Sequence, residues 1–156
     1  MATYTVNNKM GGSQQNIGTS AKTVLTVTSQ TTGNRRARIF EINCGADGTP
    51  ADNPLTYDVI RCTSIGTGGT NIVPPALDTA DAVAIMVATG NQTGEPSVTS
   101  TAVMLTVPLN QRATYRWVAS PGNEFVIPAT NVNGFAFRCL SPVYASTVIF
   151  DVMWTE

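Results

Sequence analysis

Thr147-Val-Ile-Phe-Asp-Val-Met-Trp-Thr155 carries the clearest structural signal in the sequence. Large apolar side chains occupy every second position of this stretch: Val148, Phe150, Val152 and Trp154. Asp151 and Thr155 fall on the alternate positions. Because successive side chains of a β-strand point to opposite faces, this alternation predicts a strand with one apolar face and one wetter face.

The same alternation recurs along the chain and predicts most of the remaining structure. It is found in five further segments: Thr23–Thr28, Arg36–Cys44, Thr99–Val107, Ala113–Ser120 and Gly134–Leu140. In the first segment it places Thr26 and Thr28 on the wetter face. In the second it places Phe40 in phase with Ile42 and Cys44. We therefore expect each segment to form a strand that is half-buried, as in antiparallel sheets.

Three segments show a less decisive pattern. Tyr57–Ser64 is apolar on both faces near its middle, and Glu124–Ile127 predicts a weaker strand. Pro75–Thr89 has apolar residues at helical spacing, with Asp78 placed to cap a helix. Its part Val83–Val87 fits a buried strand equally well, so both alternatives stay open.

A chain of 156 residues is most simply one domain. About eight strands, with short turns in the second half, predict an all-β fold, a single-domain antiparallel β-sandwich. The jelly-roll version is favoured over an immunoglobulin-like sandwich or a barrel. We place the sandwich at 22–156, after an N-terminal strand and flexible arm at 1–21. Residues 7–21 are poor in apolar side chains, which favours a loose loop over an arm that orders on a neighbouring subunit.

The polar surface is nearly free of charge. Charged residues make up 12% of the chain, with two lysines, seven arginines, no histidine and a formal net charge of −1. Threonine, serine, asparagine and glutamine fill the polar positions instead. This balance argues against nucleic-acid partners and against a polybasic membrane surface. A charge-poor β surface loses little hydration energy when it packs, which favours contact with other protein.

The sequence also indicates where the chain is made. Met1-Ala-Thr-Tyr-Thr-Val6 has neither the basic region nor the apolar core of a signal peptide. No apolar run approaches the roughly 20 residues of a membrane helix. We therefore expect synthesis in a host cytoplasm and no membrane partner. Cys44, Cys62 and Cys139 lack a CxxC spacing, which predicts reduced, mostly buried thiols.

We predict that the protein is not an enzyme and has no catalytic residues, bound metal or cofactor. Without histidine, Ser–His and Cys–His pairs cannot form, and a Ser–Lys pair has only Lys9 and Lys22 to draw on. Composition alone permits paired carboxylates of the glycosidase kind. Asp47, Asp52 and Asn53 share one loop but match no calcium-binding pattern, which favours turn-forming roles.

Four arginines are the candidate residues for contact with another subunit or a partner. Protein interfaces are enriched in arginine and depleted in lysine, and this chain has seven arginines to two lysines. The candidates are Arg35, Arg36, Arg112 and Arg116. Solvated strand faces are the equal alternative for each of them.

The aromatic residues raise the separate question of sugar binding. Trp117 and Trp154 lie in phase with apolar neighbours, which predicts core packing for both. Tyr4, Tyr57 and Tyr144 are freer candidates for a sugar-stacking platform.

Roughly the last two-thirds of the chain contains a series of distinctive motifs. They read Ala-Asp-Asn-Pro (51–54), Tyr-Asp-Val-Ile-Arg-Cys-Thr (57–63), Pro-Ala-Leu-Asp (75–78), Gly-Asn-Gln-Thr-Gly-Glu-Pro (90–96), Asn-Gln-Arg-Ala-Thr-Tyr-Arg-Trp-Val-Ala-Ser-Pro-Gly (110–122), Val-Ile-Pro-Ala-Thr (126–130) and Asn-Gly (133–134). The stretch 110–122 is the most specific. Together they resemble small virion proteins of tailed bacteriophages, the capsid decoration or cement proteins that stabilise the head.

The resemblance implies a viral structural protein on the capsid exterior of the virion. Such a protein binds the major capsid protein as a homo-oligomer, often a trimer, and stabilises the shell against internal pressure. The family has no catalytic residues to carry over. The alternative is a glycan- or receptor-binding β-sandwich module of a phage tail or fibre, whose mark would be exposed aromatic side chains.

Overall fold

The computed structural model describes residues 1–30, 35–49, 51–143 and 145–156. Within these ranges the chain forms eleven strands, and a single 3-10 turn at Asn8–Gly11 follows the first of them. The strands are β1 (Thr3–Asn7), β2 (Lys22–Thr28), β3 (Ala37–Ala46), β4 (Pro54–Cys62), β5 (Thr70–Ile72), β6 (Val87–Gly90), β7 (Val98–Asn110), β8 (Thr114–Val118), β9 (Phe125–Ile127), β10 (Gly134–Leu140) and β11 (Val148–Thr155). The stretch Thr31-Thr-Gly-Asn34 is dense in turn-forming residues, which predicts a turn, and it lies outside the described residues.

The strands form two antiparallel sheets. The first sheet has the order β1-β11-β3-β8, with β9 also paired to β3, and the second has the order β5-β6-β2-β10-β4-β7. Their inner faces meet in one apolar core. The rings of Phe150, from β11, and Tyr57, from β4, pack edge to face with centroids 5.5 Å apart. The predicted single-domain antiparallel β-sandwich is confirmed.

Strand β11 has the facing that its sequence predicts. Its four alternating apolar side chains are fully buried: Val148, Phe150, Val152 and Trp154. The residues between them are half-buried on the outer face of the first sheet. Because β11 lies between β1 and β3, this strand supplies the centre of the first sheet's contribution to the core.

Strand β3 departs from strict alternation at one residue. Its register on β11 skips Phe40, which makes Phe40 the extra residue of a β-bulge. Ile39 is buried before the bulge, and Ile42 and Cys44 are buried after it, whereas Phe40 is only half-buried. The predicted phase of Phe40 is therefore wrong, because a bulge shifts the alternation by one position.

Strand β2 is buried on both faces, so the prediction of a wetter face for Thr26 and Thr28 is wrong. β2 lies inside the six-stranded sheet, and the chain that follows β6 folds over its outer face. There the Gln92 amide donates to Thr26 Oγ1 at 2.9 Å and to the Thr89 carbonyl at 2.7 Å. Threonine is tolerated at such a buried position when its hydroxyl forms a hydrogen bond there.

The helix alternative for Pro75–Thr89 is wrong, and the buried strand predicted at Val83–Val87 lies instead at Val87–Gly90. Residues 73–86 form neither helix nor strand, and β6 begins only at Val87. The backbone of this stretch, called the 73–86 segment below, is hydrogen-bonded to β1. Thr5 N donates to the Pro75 carbonyl at 3.2 Å, and Leu77 N donates to the Thr3 carbonyl at 2.8 Å. These hydrogen bonds satisfy backbone N–H and C=O groups of the segment that would pair with one another in a helix.

The N-terminal residues 1–21 contribute to the same sandwich. β1 is a strand of the first sheet, as predicted, and Asn8 and Ile17 are buried. The Asn8 side chain donates to the Val148 carbonyl and accepts from Phe150 N, both at 2.9 Å. One amide and one isoleucine therefore anchor this polar segment at two points, and the flexibility of the segment stays a prediction.

Candidate protein-binding surfaces

The four candidate arginines lie at three separate places. Arg35 and Arg36 precede β3 and are exposed, and neither has an ion pair among the described residues. Arg112 follows β7 and forms an exposed ion pair with Asp52 at 3.4 Å. Arg116 lies on β8. The ten residues of β3 separate the first pair from Arg112 by roughly 30 Å. The structure therefore does not bring them together, and a contact role stays a prediction for each.

Arg116 is the most tightly organised of the four. Its Nε and Nη2 donate to the two carboxylate oxygens of Glu41 at 2.7 and 2.9 Å. The Asn43 amide donates to the same carboxylate at 3.3 Å. These hydrogen bonds, that of Arg116 above all, lower the pKa of Glu41, and Glu41 in turn raises the pKa of Arg116. Both side chains are therefore charged at neutral pH, and Glu41 is a poor base.

A shallow concavity of about 370 Å³ lies beside this ion pair on the outer face of the first sheet. Gly45, Thr114 and Asp151 are among the residues that line it. A Cβ atom at Gly45 would meet Thr114 Cγ2 at 3.0 Å, so glycine keeps this space open. Burial raises the pKa of Asp151, and Thr5 Oγ1 donates to its carboxylate at 3.3 Å. The concavity thus offers hydrogen-bonding groups to a polar ligand.

No aromatic side chain of the described ranges is mostly exposed. Trp154 is buried, which confirms its predicted place in the core, and Trp117 packs half-buried at the core's edge. Tyr57 is buried. Tyr4 is also buried, and its ring stacks against that of Trp154 with centroids 5.9 Å apart. The expectation that these two tyrosines are free is therefore wrong. Tyr144 lies outside the described residues.

The 73–86 segment carries a concentration of exposed apolar side chains. Val73 is 72% exposed, Leu77 57% and Val83 74%. Single exposed apolar residues are ordinary on protein surfaces, whereas a group of them marks a binding surface. Three large aliphatic side chains on one segment therefore make it the strongest candidate for contact with another protein.

The far end of the 73–86 segment is as firmly held as its start on β1. The Glu156 carboxylate accepts hydrogen bonds from Ile85 N at 2.5 Å and from Met86 N at 3.1 Å. Tyr4 Oη donates to the Ala82 carbonyl at 2.8 Å. A segment fixed in this way loses little conformational entropy when a partner binds. Ordering the segment therefore costs little of the binding free energy.

Strand β7 offers a second surface, at the edge of the second sheet. It is 13 residues long, against about five or six for an ordinary strand, and none of its residues is charged. One side of β7 pairs with β4, and no described segment pairs with the other. Val103 and Met104 are 42% and 39% exposed. The edge is irregular, however, because the register of β7 on β4 shifts on both sides of Val103. Bulges of this kind are one means by which an edge strand avoids pairing with another strand.

No helix among the described residues has the length and apolar character to span a membrane. They contain no group of three cysteine, aspartate or glutamate side chains placed to hold a metal ion. In comparison with known proteins, no protein-family model and no curated protein matches the chain.

Proposed function

We propose that this protein is a viral structural protein that decorates the outer shell of a phage capsid and stabilises it. In this role it binds the major capsid protein as a homo-oligomer. The observation that supports the proposal most is the 73–86 segment, a firmly held backbone with exposed Val73, Leu77 and Val83. The class of partner comes from the resemblance of residues 51–134 to the decoration and cement proteins of tailed bacteriophages.

We also infer the jelly-roll version of the sandwich, on the order of its strands. Eight strands remain when the short β5, β6 and β9 are set aside. Numbered along the chain, they are arranged 1-8-3-6 in one sheet and 2-7-4-5 in the other. Eight strands in two four-stranded sheets fit a jelly roll, an architecture of viral capsid proteins and of lectins. The architecture is compatible with shell binding but does not by itself imply it.

The charge distribution supports binding by apolar contact. Six of the nine basic side chains form ion pairs within the chain, and the net charge is −1. Little charge is left to attract a partner over a distance, and salt screens mainly exposed charges. Burial of Val73, Leu77 and Val83 would instead provide an apolar driving force.

Co-sedimentation with empty capsids of the phage that encodes this chain tests the proposal. We expect saturable binding that is nearly equal at low and high salt. An unrelated β-sandwich of similar size serves as the control and should stay in the supernatant. Absence of binding at any protein concentration would overturn the proposed function, and steep loss at high salt would overturn the apolar mechanism.

A glycan- or receptor-binding role in a phage tail or fibre is the second candidate, and the concavity beside Arg116 supports it. Asp151, Asn43 and Thr114 offer the carboxylate, amide and hydroxyl groups that hydrogen-bond sugars. A glycan array tests this role, with Asp151→Asn as the variant. Specific sugar binding that is lost in the variant would favour this function over shell decoration, and an array without binding would exclude it for the glycans tested.

A further inference from the structure

We propose that a small cavity at the end of β4 and the start of β10 is a binding site for a carboxylate, with Arg61 as its cationic group. The cavity has a volume of about 90 Å³, and the residues that line it include Arg61, Thr63, Thr99 and Asn133. This site goes beyond the proposed function, which rests on apolar contact and assigns no polar ligand.

Arg61 is a half-buried cation that has no carboxylate partner among the described residues. Six of the nine basic side chains form ion pairs within the chain. Of the other three, Arg35 and Arg36 are exposed, whereas Arg61 is half-buried. No aspartate or glutamate is found among the described residues that line the cavity. Because a charge removed from water is normally paired, an anionic group in the cavity would supply the missing partner.

The guanidinium of Arg61 is held in position by contacts within the chain. Its Cζ atom lies 4.9 Å from the centroid of the Phe135 ring, and its Nη1 donates to the Val126 carbonyl at 3.3 Å. Among the described residues this is its one side-chain hydrogen bond, and a guanidinium has five N–H groups. A fixed, planar group with free donors suits a carboxylate and loses little conformational entropy when it binds one.

The other polar side chains that line the cavity can all donate hydrogen bonds. Within the part of the chain that the structure describes, the Asn133 amide and the Thr99 hydroxyl have no hydrogen-bond partner. Thr63 Oγ1 lies 3.5 Å from the Ser97 carbonyl oxygen, which is at the limit of a hydrogen bond. The cavity therefore combines one positive charge with amide and hydroxyl donors, the groups that an oxyanion requires.

A strained turn fixes the backbone of Asn133 at this cavity. Val132 has a φ of 51°, a left-handed conformation that is unfavourable for a β-branched residue. Two hydrogen bonds to Ser29 hold the turn: Val132 N donates to the Ser29 carbonyl at 3.1 Å, and Ser29 N donates to the Asn133 carbonyl at 3.0 Å. Strain of this kind persists where the surrounding structure fixes it, and it is concentrated at binding sites.

Size and charge favour a carboxylate over other anions. A volume of about 90 Å³ is well below the roughly 300–1,000 Å³ of sites for drug-sized ligands, so it suits a single small group. One guanidinium balances the single negative charge of a carboxylate, whereas a phosphate carries a charge of about −1.5 to −2 at neutral pH.

Titration of the isotope-labelled protein with acetate at pH 7, followed by NMR, tests the site, with chloride at equal ionic strength as the reference. We expect the side-chain amide signals of Asn133 to shift and to reach half-saturation at about 1–10 mM. Arg61→Met keeps an apolar side chain over Phe135 but removes the guanidinium, and it should raise the half-saturation concentration at least tenfold. Arg112→Met, which removes an exposed arginine elsewhere, should leave it unchanged. Absence of saturation, equal shifts with chloride, tighter binding of phosphate than of acetate, or unchanged acetate binding by Arg61→Met would overturn the inference.

Thr99→Val provides a second variant if Arg61→Met fails to fold. Thr99 and Thr101 are both exposed on β7, and only Thr99 lines the cavity. Loss of the Thr99 hydroxyl should raise the half-saturation concentration for acetate at least twofold, whereas Thr101→Val should not change it. Equal acetate binding by these two variants would contradict the site.

Capsid co-sedimentation identifies the source of the carboxylate and separates this inference from the proposed function. Weaker capsid binding by Arg61→Met would assign the carboxylate to an acidic side chain of the shell, and unchanged binding would assign it to a free carboxylate. Acetate saturation without capsid binding would overturn the proposed function alone. Capsid binding without acetate saturation would overturn this inference alone.

Discussion

Two tyrosine hydroxyls show how single residues differ within one core. Tyr4 Oη donates to the Ala82 carbonyl at 2.8 Å, whereas Tyr57 Oη is buried without a partner among the described residues. Burial, the largest cause, raises the pKa of Tyr57, so its hydroxyl stays protonated. A buried hydroxyl that gives up water without gaining a partner costs about 1–3 kcal/mol. The ring of Tyr57 therefore stabilises the core by packing, whereas its hydroxyl adds no stabilising hydrogen bond.

Replacing these hydroxyls should change stability in opposite directions. Tyr57→Phe removes the unpartnered oxygen and should raise the free energy of unfolding by about 1 kcal/mol. Tyr4→Phe, the matched control, loses a formed hydrogen bond and should lower it by about 1 kcal/mol. Urea denaturation of both variants and the original protein provides the comparison. A less stable Tyr57→Phe would show that its hydroxyl has a partner.

The cysteines are residues whose surroundings the sequence predicted well. Cys44, Cys62 and Cys139 are free and buried, as their odd number and spacing indicated. Desolvation by burial raises the pKa of each thiol to about 12. At pH 8 only about one thiol in ten thousand would then be a thiolate, which is the reactive form.

Thiol titration follows from this burial. At pH 8 we expect negligible reaction of the native protein with a disulfide reagent, and complete reaction of all three thiols in denaturant. Raising the pH towards 12 without unfolding should increase the native rate, because the thiolate fraction grows. Fast native reaction of all three at pH 8 would contradict the packing of the core.

At the scale of elements, alternation predicted where strands form better than it predicted which of their side chains are buried. The pattern of β11 was sufficient because the bulge in its pairing with β3 adds the extra residue to β3 and leaves the alternation of β11 intact. In β3 the bulge at Phe40 depends on the register against β11, which no local pattern contains. In β2 the burial of Thr26 depends on Gln92, which lies 66 residues away in the sequence. Contacts between residues that are distant along the chain therefore determine register and burial, which local periodicity does not predict.

Gly134 shows how closely the elements of the second sheet approach. It begins β10 between β2 and β4, and a Cβ atom there would lie 2.1 Å from the Val27 carbonyl oxygen. Gly134→Ala must therefore move β10 away from β2 and should destabilise the fold by about 1–3 kcal/mol or more. Gly18→Ala is the matched control, since nothing lies within 4 Å of its Cβ position. Thermal unfolding tests the pair, and equal midpoints would contradict the β2–β10 packing.

The 73–86 segment was the least predictable element. Its alanines and aliphatic residues fit a helix or a buried strand, and the buried-strand alternative requires Val83 to be covered. The structure instead holds the backbone from outside, through β1 and the Glu156 carboxylate. Pro74-Pro75 was the available signal against a regular element at its start. The exposure of Val83 follows from anchoring contacts that connect distant parts of the chain.

At the scale of the molecule, the two candidate surfaces belong to different edges. In the second sheet, β7 is the strand at one edge, and the 73–86 segment connects β5 and β6 at the other. Composition predicted a protein-binding β domain, but it directed attention to arginines that the fold distributes over three places. The location of a surface depends on tertiary contacts, which composition does not encode.

Quantitative capsid binding by charged variants of the 73–86 segment tests the central claim most directly. Leu77→Asp and Val83→Asp replace exposed side chains and should leave the unfolding midpoint unchanged, as should Val143→Asp, a control on another exposed loop. We expect the two segment variants to bind empty capsids at least tenfold more weakly than the original protein, and the control to bind equally well. Unchanged capsid binding by both segment variants would contradict the claim that this segment holds the protein to the shell.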